Sequence, residues 1–201
     1  MSPRCELEVT PGFVLLAAWF ALVNGGRTLA LVLSAAAVHE LGHWLVLRRL
    51  RAEVYSFRLT ALGAELSADS GRLSYAGELA AVLAGPGANL AAALALTLLG
   101  RWPAAIGANL VLACFNLLPI RLLDGGRAVC LAVSWLAGPE AGGLVLEVLS
   151  AFTSAALALL LAGVMCAAHG SLWLLPALLA AALEVRRALQ PFCRARKKGL
   201  P

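Results

Sequence analysis

His39-Glu40-Leu41-Gly42-His43 stands inside an apolar run from Thr28 to Leu47. A run of that length crosses a bilayer as one helix. On a helix, positions 39 and 43 are i and i+4, so both imidazoles leave the same face. Two neutral imidazoles at this spacing suit one Zn²⁺, and Glu40 stands beside them to handle a proton. At about 1.5 Å per residue, His39 lies about 17 Å from Thr28, past the midplane and nearer Arg48. A charged residue at such depth costs about 2.5–3.5 kcal/mol on insertion scales. A chance H-E-x-x-H in a chain of this length has odds below about 1 in 100. The motif is therefore read as a metal site, not as a coincidence.

Working outward, the 201 residues are 61% hydrophobic and 13% charged, more apolar than a soluble domain needs. The expected fold is an all-α polytopic membrane protein of about six transmembrane helices with a short membrane-associated β-hairpin. The net charge of +5 does not indicate nucleic acid. The basic residues sit at the ends of apolar runs, where they act as topology signals. Cys5, Cys114, Cys130, Cys166 and Cys193 are scattered with no C-x-x-C pair, which argues against a disulfide framework or a zinc ribbon. Glu6 and Glu8 make the N-terminus a poor signal peptide, so the first apolar run is expected to stay as a helix.

In chain order, Met1 to Thr10 reads as a polar tail and Pro11 to Val23 as span 1. Asn24-Gly25-Gly26 is a turn, and span 2 ends at Arg48-Arg49-Leu50-Arg51. From Glu53 to Ala68 the period changes to two. Tyr55, Phe57, Leu59 and Ala61 alternate with Ser56, Arg58 and Thr60, and Gly63 turns the chain back, which predicts a hairpin. Span 3 is Tyr75 to Leu99, where Pro86 should bend the helix and small residues allow close approach. Span 4 is Ala104 to Leu118. Ala128 to Ala137 reads as a short interfacial helix and Pro139 to Gly143 as a linker. Leu144 to Ala168 is span 5, His169-Gly170 a turn, and Leu172 to Leu189 span 6. On this layout all but Arg27 and Arg101 of the 16 Lys and Arg residues fall on one side. That bias puts both termini in the cytoplasm. One integral-membrane domain over 1–201 is expected, with its core at 28–130 and a basic cytoplasmic tail over 190–201.

A catalytic zinc takes three protein ligands and keeps one position open. His169 is expected at the opposite membrane face, and Glu147 reads as an interfacial charge. Asp124 lies at the same end of the bundle as His39 and His43, and Gly125-Gly126 lets the backbone fold behind it. Spacing alone leaves Asp124 either a ligand or a plain turn or cap residue. Asn89 reads as a hydrogen bond between helices, and Trp44 as packing. Trp102, Trp135 and Trp173 read as interfacial anchors.

Three segments now stand in order: His39-Glu40-Leu41-Gly42-His43, then Ala84-Gly85-Pro86-Gly87-Ala88-Asn89, then Asn116-Leu117-Leu118-Pro119-Ile120 with Leu123-Asp124-Gly125-Gly126-Arg127. Together they resemble the signature of the site-2 protease family of intramembrane zinc metalloproteases. The compact layout is similar to the bacterial branch that includes the sporulation protease acting on a sigma-factor precursor. The resemblance implies one Zn²⁺ held by His39, His43 and Asp124, Glu40 as general base, and Asn116 holding substrate or the oxyanion. It further implies that the hairpin, through Tyr55, Phe57 and Leu59, offers a strand edge to unwound substrate. Here the chain reads Thr60-Ala61-Leu62-Gly63-Ala64, where the family has Pro-x-Gly-Gly-like residues.

The function so implied is cleavage of a membrane-spanning or membrane-associated protein in the bacterial cytoplasmic membrane, with a regulatory membrane protein as a candidate partner. No periplasmic sensing module is expected between the spans, nor a nucleotide-sensing domain after span 6. A non-proteolytic scaffold or chaperone on the same fold is the alternative, and loss of a motif residue would have favoured it. A metal transporter ranks last, since its ligands would string along a path.

Overall fold

The apolar runs become helices close to where the sequence places them. The computed structural model describes residues 6–60, 63–68, 73–167, 176 and 178–187. It divides into two compact units, Met1–Leu117 and Leu118–Pro201.

The first unit begins with strand β1 (Glu6–Val9), helix α1 (Pro11–Asn24) and helix α2 (Gly26–Arg49). Strands β2 (Val54–Thr60) and β3 (Gly63–Ala68) follow, then helices α3 (Tyr75–Leu98) and α4 (Pro103–Asn116). The expected hairpin is β2 with β3, antiparallel, pairing Phe57 with Leu66 and Leu59 with Ala64. The polar tail is a correction. Its residues Glu6–Val9 are a third strand, parallel to β2, so the sheet order is β1-β2-β3. Glu8 opposes Arg58 across that ladder, and their side chains meet at 2.7 Å. Both groups are about half exposed, so the ion pair adds well under about 1 kcal/mol.

Thr10 joins sheet to helix. Its hydroxyl accepts from the Phe13 N–H as the cap of α1, and its own N–H and hydroxyl both donate to the Leu59 carbonyl at 2.9 Å. Pro11 follows at the first helical position, where its missing N–H has no cost. Gly25, at φ +84°, separates α1 from α2. Ser74 caps α3, and helix assignment runs unbroken through Pro86, which is fully buried.

In the second unit, α5 (Asp124–Ala137) starts four residues before the expected interfacial helix. The expected linker at Pro139–Gly143 is instead the opening of α6 (Pro139–Ala167). Gly138, at φ +92°, makes the turn alone, and Pro139 starts the next helix at once. Gly142 lies against Ser134 and the Cys130 carbonyl with no room for a side chain. Residues 178–187 are helical, inside the expected span 6. The first part of that span, the His169-Gly170 turn and the basic tail lie outside the described residues.

Among the described residues, three helices are long and apolar enough to cross a membrane: α2, α3 and α6. The six-span expectation is therefore met only in part. Helices α1 and α4 are apolar but 14 residues long, about 21 Å against a hydrocarbon core of about 30 Å. The burial pattern fits lipid as the solvent. Leu15, Leu22, Leu98, Val111, Phe152 and Leu159 point outward, while most buried positions hold Ala, Gly, Asn or Ser. A chain in lipid gains little by hiding Leu and gains much by close backbone packing.

Candidate metal centre

Helix α2 turns one face toward α3, and Ala35, His39, Gly42 and Leu47 are its buried residues. Contact is close because Gly42 has no side chain. A β-carbon there would overlap the Ala84 carbonyl and the Ala88 methyl. Next to Ala84 on α3, Gly85 faces both imidazoles, and a β-carbon there would overlap the His43 and His39 rings at Nε2. The Ala84-Gly85 step therefore seats α2 and leaves the ring edges their space.

Each imidazole is tied off at Nδ1. His43 Nδ1 lies 2.8 Å from the Ala81 carbonyl oxygen, which can only accept, so Nδ1 donates. His39 Nδ1 lies 2.8 Å from Asn89 Oδ1 and donates to it. Both Nε2 atoms then carry lone pairs, and they lie 3.1 Å apart. Two lone pairs so placed repel unless a cation or a proton sits with them. Tetrahedral zinc, with Zn–N of about 2.0–2.1 Å, holds two nitrogens about 3.3–3.4 Å apart. The pair fits such an ion with little movement, and Nδ1 hydrogen bonds of this kind orient metal-binding histidines generally.

Glu40 is half-buried and follows His39 on α2. Asn89 bonds between helices as the sequence reading expects, from α3 to His39 and to the Ala35 carbonyl on α2. It also donates to Asn109 Oδ1 at 2.8 Å. Asn109 is buried on α4 and is passed over by the sequence reading, because it belongs to no motif. The available signal was a lone amide in an apolar helix, which must find a partner. Asn116 ends α4, with its amide donating to the Leu112 carbonyl. In the second unit, Asp124 is the first residue of α5, where backbone N–H groups favour a carboxylate.

Tyr55, Phe57 and Leu59 lie on β2, with Tyr55 exposed and the other two half-buried. That strand is the centre of the sheet and is paired on both sides. Among the described residues, the open edges belong to β1 and β3. A strand edge open for pairing would thus belong to a neighbour of β2, not to β2 itself.

No family model matches the chain. The structure superposes on the site-2 protease from Methanocaldococcus jannaschii with a TM-score of 0.63. The match covers 92% of this chain and 89% of that one at 21% identity. The fold is that of a site-2 protease. Curated relatives agree with the assignment. A Mycobacterium tuberculosis protein that carries a zinc metalloprotease name, Rip3, is 38% identical over 128 residues. A Synechocystis protein with a zinc metalloprotease name is 35% identical over 133 residues. The matches span 54% and 60% of this chain but only 31% and 35% of those relatives' length. Within the site-2 protease fold, α2 supplies the paired imidazoles and α3 the glycine that clears them.

Proposed function

We propose that the chain is an intramembrane zinc endopeptidase cutting a membrane-spanning or membrane-associated protein near the cytoplasmic leaflet. The observation that carries this reading is the His39–His43 pair, with both Nδ1 atoms committed and both Nε2 atoms turned together. His39, His43 and Asp124 would hold the metal, offering two imidazole nitrogens and one carboxylate oxygen. Bound zinc supplies Lewis acidity toward water and toward the scissile carbonyl. Glu40 takes the proton of the attacking water and hands it to the leaving amine. Asn116 holds substrate or the developing oxyanion.

A helical substrate hides its carbonyls in backbone hydrogen bonds and must unwind locally. Pairing with a strand edge offsets those lost bonds. The outer edge of β3, beside α2, suits this role, with Tyr55, Phe57 and Leu59 acting through the neighbouring strand. The setting is the bacterial cytoplasmic membrane with both termini inside.

The test is paired. Wild type and Glu40→Gln are purified in detergent, assayed for zinc, and incubated with single-span candidate substrates. One zinc in each and cleavage only by wild type is the expected result. Cleavage by Glu40→Gln would overturn the base assignment, and metal in neither would favour the scaffold.

A further inference from the structure

We infer that Asn109 is a positioning residue for the metal site, acting through Asn89 to fix which nitrogen of His39 faces the metal. One chain of hydrogen bonds runs from the Ala105 carbonyl through Asn109 and Asn89 to His39. Asn109 Nδ2 donates to the Ala105 carbonyl at 2.9 Å, one turn back on α4. That bond fixes the amide's orientation, so Asn109 presents Oδ1 to α3. Asn89 must then offer Nδ2, which it does at 2.8 Å while also donating to the Ala35 carbonyl at 2.9 Å. Both amide protons of Asn89 are now spent, and its Oδ1 is left for His39. An oxygen there accepts only, so His39 protonates at Nδ1 and keeps the Nε2 lone pair for the metal.

An inverted Asn89 would reverse this. Its NH₂ group would face Nδ1, the imidazole proton would move to Nε2, and that nitrogen could no longer bind a metal. Two acceptors, the Ala35 carbonyl and Asn109 Oδ1, hold the amide against inversion. Burial makes both matter: Asn89 is fully buried and Asn109 is 5% exposed, so no water replaces a lost partner. His43 needs no such relay, because the Ala81 carbonyl meets it directly. Asn109 thus acts on the site from α4, the fourth helix of the first unit, at one remove from the metal.

The relay serves the metalloprotease reading, but its test does not depend on catalysis. The full chain in detergent, labelled with ¹⁵N-histidine, has three histidines to assign. At pH 8 and without metal, the ¹⁵N shifts report the tautomer. Zinc affinity is measured in parallel by competition with a chelator. Wild-type His39 should be protonated at Nδ1. Asn109→Leu, of similar volume but with neither donor nor acceptor, should give mixed tautomers at His39. It should also weaken zinc 10–100-fold. Asn109→Asp should restore both, since a carboxyl oxygen still accepts from Asn89.

An unprotonated His39 Nδ1 in wild type would overturn the inference, and this measurement stands even if Asn109→Leu does not fold. So would zinc loss in Asn109→Leu with an unchanged tautomer, which would make Asn109 mere packing. A locked tautomer in a wild type that binds no zinc would support the relay and count against the protease reading instead.

Discussion

Gly85 lies against the Nε2 edge of His43 so closely that a β-carbon would overlap the ring. The missing side chain on α3 is therefore part of how α2 presents its imidazoles.

Gly85→Ala should displace one or both rings. Zinc affinity should fall at least tenfold, read by chelator competition, while the helical far-UV signal is kept. Unchanged affinity would show that the rings have room to move.

Gly42 is tight in a different way, because its neighbour is the backbone carbonyl of Ala84. A backbone cannot rotate aside, so Gly42→Val should force α2 from α3. Overpacking of this kind costs about 1–3 kcal/mol. Unfolding in mixed micelles should show that loss, together with weaker metal binding.

Metal and fold should be linked. A ligand that binds only the folded state stabilises it by about 2.7 kcal/mol at 100 times its Kd. Added zinc should raise the unfolding midpoint of wild type and leave His39→Ala nearly unmoved. Asp124→Asn should fall between them, losing one charged ligand atom while keeping the start of α5. Equal zinc effects in wild type and His39→Ala would place the metal elsewhere.

The sheet can be tested with two prolines. Neighbouring residues in a strand send their N–H groups to opposite sides, so of Leu66 and Ser67 in β3 one N–H faces β2 and the other faces outward. Leu66→Pro and Ser67→Pro should behave differently. One should loosen the hairpin, and the other should keep the fold but reduce cleavage. Two folded variants with full cleavage would remove the strand-edge role.

What could be read in advance was what local chemistry signals. The His39–His43 spacing, the small residues at 84–88 and the alternation from Tyr55 each declare themselves within a few residues. The β1 strand did not, because Glu6–Val9 pairs with residues some fifty positions away and looks like a charged tail by itself. The start of α6 was hidden because Pro139 and two nearby glycines resemble a linker, whereas Pro at a helix start is favourable. Asn109 was missed because its importance lies in one hydrogen bond to another helix.

Thr10 ties two decisions together. A one-residue slip of β1 along β2 would carry it about 3.3 Å from the Leu59 carbonyl and flip its side chain to the other face. The same slip would pull the cap away from Phe13. Misregistered sheet and frayed helix are thus a single error, and the parallel ladder is proofread by the first turn of α1.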